Sequence, residues 1–360
     1  MKQGKSRFVF PGGNLPAGFH SFYRSGLQGL DNVFILKGGP GTGKSTLMRK
    51  IGLAMMERGY DVEFWQCSSD NDSLDGVVIP ALSVAVIDGT APHTVDPIYP
   101  GVVEEIINLG DHWNTALLKA HKKEVMDCGK EINECFKEAY KHLEQAAKQD
   151  KARKELYAGH ESVEEMAKVR SRLCQEIFHN KGAGSRHLFA RAVSPVGLQS
   201  FILSLSRDCL RRYFLSGPDC TAKNELMLEL LAEAEAAGRQ AEVFHSPYDL
   251  EFIEMLLLPA QKIAVIACEE DELLEPGEGD VLIDLAVDCG EDSALREQVV
   301  SLRNSREEQT DAAAAKIAEA KRIHDRLESF YSKAMDFDAV DLTSGKLFNR
   351  ILAIAAEKLK

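Results

Sequence analysis

The stretch VFILKGGPGTGKS (residues 33–45) joins an apolar run to a glycine-rich loop, and the segment Ser45–Arg58 after it has the composition of a helix. The loop fits the pattern GxxxxGK[ST], in which glycines let the backbone N–H groups turn inward around phosphate oxygens. The N-terminus of the following helix adds positive potential. Strand, loop and helix in this order are the context that the pattern requires, so the stretch predicts a Walker A loop.

The residues of this loop have separate expected roles in binding ATP and Mg²⁺. Lys44 is expected to reach the β- and γ-phosphates and to act in catalysis, and the Ser45 hydroxyl is expected to ligate Mg²⁺. The absence of a guanine-specific N/TKxD element favours ATP over GTP. The predicted ATP-binding set is Gly38, Gly39, Pro40, Gly41, Thr42, Gly43, Lys44, Ser45 and Thr46.

A second Mg²⁺ ligand is predicted at Asp88, directly after the apolar run Val84–Ile87. This position is typical of a Walker B carboxylate. Gly89 follows in place of the glutamate that many ATPases carry there, so a water-activating group must come from elsewhere or be missing. Asp70 and His93 are the candidates for this catalytic role. Alternatively, Asp70 caps a helix and His93 only caps or packs in its loop.

An internal repeat organises the chain. Shifting the sequence by 179 residues aligns residues 7–90 with residues 186–269 without a gap, and pairs Lys44 with Lys223 and Glu63 with Glu242. Glycines, prolines and apolar strand residues fall in register throughout this alignment. The pattern indicates a tandem duplication.

The loop of the second copy has lost most of the chemistry of the first. Ala222 replaces the glycine before the lysine, and Asn224 replaces the Mg²⁺-binding hydroxyl. Asp219 places a negative charge where phosphate would sit, and Ala267 stands at the position of the Walker B carboxylate. These losses disfavour ATP–Mg²⁺ binding and indicate a structural or regulatory pseudo-site.

The order of elements predicts an α/β protein with two tandem P-loop NTPase-like domains. Apolar runs alternate with helical segments at the front of each copy, which indicates doubly wound parallel sheets covered by helices on both faces. Seven-residue spacing of apolar residues at the rear predicts a helical extension, either a projecting arm or helices packed on the core. The expected units are the intact core (1–101), its helical extension (102–181), the degenerate core (182–288) and a C-terminal helical extension (289–360).

Composition restricts the partners. The formal net charge of −13 disfavours general binding to nucleic acids, because phosphodiester backbones are repelled. No apolar run of about 18 residues occurs, which argues against a membrane span. The eight cysteines form no C-x-x-C pair and are interpreted as reduced cytosolic thiols that serve as small hydrophobes. The expected location is the cytoplasm, and the helical extensions could also support an oligomer.

With these motifs in place, the sequence resembles a largely uncharacterised family of bacterial duplicated (tandem) P-loop ATPases. The similarity covers the whole chain, and the family often keeps a recognisable loop in the second copy, which this chain does not. The resemblance implies ATP binding and brings no substrate. It rests on residues 12–14, 18–19, 27–31, 68–76 and 88–93.

Three functions are compatible with these motifs. The first is an ATPase or ATP-driven switch that acts on an unknown partner through its helical extensions. The second is a P-loop kinase of a nucleotide or other small molecule, for which an arginine-rich lid and an acceptor pocket are expected. The third is a non-catalytic ATP-binding scaffold, which the missing glutamate after Asp88 favours.

Overall fold

The computed structural model describes residues 3–157, 163–177, 184–217, 220–269, 277–285 and 293–358. The first copy and its extension contain β1 (Ser6–Val9), β2 (Gly12–Leu15), β3 (Gly18–Ser21), α1 (Tyr23–Gly26), β4 (Asn32–Lys37), α2 (Lys44–Glu57), β5 (Val62–Gln66), β6 (Leu74–Ile79), β7 (Val84–Asp88), β8 (Glu104–Asn108), α3 (Thr115–Ala120), α4 (Lys122–Glu155) and α5 (Val163–Ile177). The second copy and its extension contain β9 (Ser185–Leu188), β10 (Arg191–Ser194), β11 (Gly197–Ser200), α6 (Ile202–Leu205), β12 (Arg211–Ser216), α7 (Thr221–Ala236), β13 (Ala241–His245), β14 (Ile253–Leu258), β15 (Ile263–Ala267), β16 (Val281–Asp284), α8 (Ser293–Ala334) and α9 (Phe337–Lys358).

The two copies build six-stranded sheets with the same order of strands. The first sheet runs β1-β5-β6-β7-β4-β8, and the second runs β9-β13-β14-β15-β12-β16. Five of the six corresponding strand pairs begin 179 residues apart, as β4 at Asn32 and β12 at Arg211 do, and β8 and β16 begin 177 residues apart. The chain is therefore an α/β protein in which one sheet topology occurs twice. The predicted boundaries at 181/182 and 288/289 lie outside the described residues.

Both sheets are mixed, and the prediction of purely parallel sheets is wrong. Strand β6 runs antiparallel to β5 and β7, and β14 runs antiparallel to β13 and β15. The other strand pairs in the two sheets are parallel. Residues 67–73 connect β5 to β6 and are too few for the crossover that a parallel pair needs, so the chain turns back as a hairpin.

The doubly wound arrangement is also wrong, because among the described residues the long helices cover the outer face of each sheet, while the inner face packs against the other sheet and two short helices. Helices α2 and α9 cover the outer face of the first sheet, and α5 and α7 cover that of the second. The inner faces of the two sheets share one hydrophobic cluster, which also includes residues of the short helices α1 and α6. Alternation along β4 divides its side chains between these layers: Phe34 and Leu36 lie on the outer side, and Val33 and Ile35 on the inner side.

Two copies of one arginine–glutamate pair meet where the sheets join. Arg7 contacts both Glu63 and Glu242, and Arg186 contacts the same two carboxylates. Trp65 Nε1 donates a further hydrogen bond of 2.6 Å to Glu63. Burial alone would raise the pKa of Glu63, but the guanidinium groups of Arg186 and Arg7 hold it well below its usual range. Charge is thus balanced in this four-residue network, which joins the two copies.

The two long extension helices pair with each other inside the chain. Helix α4 runs antiparallel to α8, so that Glu131 contacts Arg326 near one end and Asp150 contacts Arg306 near the other. Small and apolar side chains lie buried between the helices and against β10. The structure therefore shows the two extensions as one packed helix pair. The buried cluster contains Ala139, Leu143, Val193, Ala313, Ala314 and Ile317.

Candidate functional site

The glycine-rich loop lies between β4 and α2, as the sequence predicts. Three of its glycines have positive φ angles, +153° at Gly38, +67° at Gly41 and +92° at Gly43. L-residues with a side chain rarely adopt such backbone angles, so these positions require glycine. Helix α2 begins at Lys44 directly after the loop, which directs its N-terminus toward the same space.

Lys44 lies within the curl of this loop. Its Nζ donates to the carbonyl oxygens of Gly38 (3.0 Å) and Gly39 (2.8 Å), and it lies 3.5 Å from Asp88 Oδ2. The side chain is only 9% exposed, so its ammonium group is held in place by these three oxygens. A buried ammonium group at the base of a glycine-rich loop and a helix N-terminus is suited to binding a polyphosphate.

Asp88 and Ser45 lie on neighbouring elements, as a metal site would require. Asp88 ends β7, which pairs with β4 so that Asp88 lies opposite Leu36. Its Oδ1 accepts hydrogen bonds from the backbone and hydroxyl of Thr90, and its Oδ2 faces Lys44. The Ser45 hydroxyl accepts a hydrogen bond of 3.0 Å from the Leu74 backbone. One hydroxyl and one carboxylate oxygen of this kind fit Mg²⁺, which prefers oxygen ligands and keeps several waters.

Asp70 shapes the loop between β5 and β6. Its Oδ1 accepts a hydrogen bond from the Asp72 backbone at 3.0 Å and lies 3.4 Å from Lys321 of α8. Its counterpart Asp249 makes the same local bond, to the backbone of Glu251 at 3.1 Å. The element that follows Asp70 is strand β6, so this residue does not cap a helix. A catalytic role for Asp70 stays a prediction.

His93 is buried with its ring between aromatic side chains and a carboxylate. The ring stacks on Tyr23 with centroids 5.5 Å apart and packs edge-on against Phe19 at 4.9 Å. Its Nε2 lies 3.4 Å from Oδ1 of Asp75, a residue of β6. Burial raises the pKa of Asp75 and, together with the Asp75 charge, raises that of the Cys67 thiol nearby. The structure therefore places His93 in a buried polar cluster, and its catalytic role stays a prediction.

The C-terminal end of α8 lies over the glycine-rich loop, which the sequence did not reveal. The Gly41 N–H donates to Glu328 Oε1 at 3.2 Å, and Ser332 Oγ donates to the Gly41 carbonyl at 3.2 Å. The ring of Tyr331 covers Gly39 so closely that an added Cβ there would lie 2.5 Å from it. We call residues 328–332 the covering segment. The Glu328 carboxylate in this segment accepts a hydrogen bond from the Gly41 N–H, a group that a Walker A loop is expected to offer to phosphate.

In the second copy, the lysine of the loop is buried and binds backbone carbonyl groups. Lys223 is fully buried, and its Nζ donates to the carbonyls of Gly217 (2.6 Å) and Cys268 (2.7 Å). Asn224 accepts a hydrogen bond of 2.9 Å from the Ile253 backbone, as Ser45 does from Leu74 in the first copy. The predicted repulsion by Asp219 falls on a residue outside the described part of the chain. Lys223 is thus a buried structural donor.

Comparisons with known proteins give no match, whether with protein families, with curated proteins or with solved structures. The resemblance to duplicated P-loop ATPases therefore rests on the sequence motifs alone. Within the described ranges, no helix is both long enough and apolar enough to cross a membrane.

Proposed function

We propose that this chain is a P-loop NTPase that binds ATP and Mg²⁺ at its first glycine-rich loop and works in the cytoplasm as an ATPase or ATP-driven switch. The observation that carries the proposal is the Lys44 ammonium group, held inside the loop and 3.5 Å from the Asp88 carboxylate. Its partner is a protein or small molecule that responds to movement of the helical extensions.

Each group at the loop has a part in this function. Backbone N–H groups of residues 41–46 and the Lys44 ammonium would hold the phosphates, while Ser45 and Asp88 would hold Mg²⁺. Bound Mg²⁺ would neutralise charge that develops on the phosphate oxygens. The second copy would support the first through the packed sheets, because its lysine is fully buried and Asn224 and Ala267 replace the two Mg²⁺ ligands.

The covering segment would link nucleotide binding at the loop to movement of the helical extensions. A phosphate that binds the Gly41 N–H has to displace the Glu328 carboxylate, because both are anions and use the same donor. Helix α8 carries Glu328 and packs along α4, so displacement of its end acts on the whole helix pair. Binding energy at the loop is thereby coupled to the position of the extensions.

We expect Glu328→Gln to bind ATP about tenfold more tightly than the wild type, because a competing charge-assisted hydrogen bond is weakened. Glu319→Gln is the matched control, since Glu319 lies on the same helix and pairs with Lys316 away from the loop. Titration with ATP and Mg²⁺ measures both affinities. Equal affinity of Glu328→Gln and the wild type would show that the covering segment does not compete with nucleotide.

The release of ADP, with and without an added acceptor, distinguishes an ATPase from a kinase and from a non-catalytic scaffold. We expect the purified chain to release ADP from ATP and Mg²⁺ without an added acceptor. ADP release that depends on an added small molecule would instead support the kinase hypothesis. Binding without any ADP release, even with candidate metabolites present, would contradict hydrolysis and favour a scaffold.

A further inference from the structure

Cys67, Asp75 and His93 form a cluster that the ATP site does not use. They come from three places: the residue after β5, strand β6 and the loop after β7. Their exposed fractions are only 6%, 3% and 8%, respectively. One sulfur, one carboxylate oxygen and one ring nitrogen of the three residues all lie within 4.8 Å of one another.

Several polar atoms of these residues and of their neighbours are buried, and Asp75 also takes part in side-chain hydrogen bonds with Tyr23 and Cys67. They include Oδ2 of Asp75, Nδ1 of His93, Oγ of Ser68 and the hydroxyl of Tyr23. Buried polar atoms are nearly always satisfied in folded proteins, and leaving one unsatisfied is costly. One sulfur, one imidazole and one carboxylate are thus gathered in a buried space where a single ion would contact all three.

The spacing of the cluster fits a metal ion better than a hydrogen bond. His93 Nε2 and Asp75 Oδ1 lie 3.4 Å apart, beyond the usual range for N–H···O bonds. Two ligands of one tetrahedral zinc ion, each at about 2.0–2.1 Å from the metal, are separated by about 3.4 Å. The observed distance therefore matches one edge of such a coordination shell.

We propose that Cys67, Asp75 and His93 bind one divalent transition-metal ion of the zinc class. A mixed set of sulfur, nitrogen and oxygen ligands suits such an ion, whereas Mg²⁺ and Ca²⁺ prefer oxygen alone. On binding, the Cys67 thiol releases its proton to solvent, and the thiolate and carboxylate together balance the two positive charges. The Tyr23 hydroxyl, which hydrogen-bonds to Asp75, is a neighbouring protein oxygen that would help to complete the shell.

The ion would fix the position of a candidate Mg²⁺ ligand. Asp88 ends β7 and His93 lies five residues further on in the segment that follows, so an ion that ties His93 to β5 and β6 also restrains Asp88. The second copy has Ser246 in place of Cys67 and Glu254 in place of Asp75. Without the thiolate, that copy lacks the mixed ligand set, so we expect this kind of site in the first copy alone.

Cobalt binding tests this site directly, because Co²⁺ occupies zinc sites and a thiolate–Co²⁺ bond gives a charge-transfer absorption band. The full chain is stripped with a chelator and titrated with Co²⁺ while the near-ultraviolet and visible spectra are recorded. We expect one thiolate-bound Co²⁺ per chain, a thiolate band, visible bands of tetrahedral Co²⁺, and loss of these bands when Zn²⁺ is added. A spectrum without a thiolate band would overturn the proposal.

Substitution of the proposed ligands one at a time tests which residues bind the ion. Cys67→Ser should lose the thiolate band, and His93→Gln should bind Co²⁺ at least about tenfold more weakly. Cys135→Ser, which replaces a buried cysteine of α4, should keep the wild-type spectrum and affinity. Circular dichroism confirms that each variant is folded. Retention of the thiolate band in folded Cys67→Ser would contradict this assignment.

Discussion

We expect Glu63→Gln to lower the free energy of unfolding by about 3–5 kcal/mol, the usual cost of leaving a buried ion pair without one partner. The Glu63 side chain is 1% exposed and lies between Arg7 and Arg186. Glutamine keeps the shape but removes the charge, so two guanidinium groups would share the single carboxylate of Glu242. Urea unfolding followed by circular dichroism measures the change.

The matched control for this prediction is Glu105→Gln. Glu105 also pairs with an arginine, Arg350, but both side chains are about half exposed, at 44% and 50%. Exposed pairs of this kind contribute about 0–1 kcal/mol, because water screens them. A loss below about 1 kcal/mol in Glu63→Gln would show that the two copies do not depend on this network.

Lys44→Ala should weaken ATP binding at least about 100-fold, which corresponds to about 3 kcal/mol. The variant loses a cation that would contact two phosphates, and each charge-assisted hydrogen bond contributes about 1.5–3 kcal/mol. Fluorescence titration with a labelled ATP analogue and Mg²⁺ measures the affinity. Thermal unfolding checks the fold, because Lys44 also binds the carbonyls of Gly38 and Gly39.

Lys223→Ala is the control that the duplication provides. Lys223 occupies the same place in the second copy and binds the carbonyls of Gly217 and Cys268. Its loss should reduce stability because buried carbonyls lose their donor, yet leave the ATP affinity at the wild-type value. An equal loss of affinity in both variants would show that the second loop also takes part in nucleotide binding.

Local features of the site could be predicted from the sequence because they depend on neighbouring residues. The apolar run before Gly38, the glycines and the helix after Lys44 specify strand, loop and helix in turn. The repeat correctly predicted that two sheets with related elements would form. Asp88 could be placed beside the loop because the strand it ends was expected to join the same sheet.

Contacts between distant segments could not be predicted in this way. The bond between Gly41 and Glu328 joins residues 287 positions apart, and no local pattern marks either of them as partners. The Leu74–Ile79 strand has no clear local signal, because its start lies in a polar run that resembles a loop. Packing of sheet on sheet was missed because a strand buried under another sheet and one buried under helices have the same apolar composition.

The cluster of Cys67, Asp75 and His93 was overlooked for a related reason. Metal sites are recognised in sequences by closely spaced ligands such as C-x-x-C, and here each ligand stands alone on its own element. The hairpin formed by β5 and β6 brings Cys67 and Asp75 together, and the loop after β7 adds His93. Only the sheet topology makes these three residues neighbours.

The number of ATP molecules bound per chain tests the central claim most directly. Equilibrium dialysis of the wild-type protein with saturating ATP and Mg²⁺ measures this number. We expect one ATP per chain, bound at the loop that contains Lys44. No bound ATP, or two per chain, would contradict it.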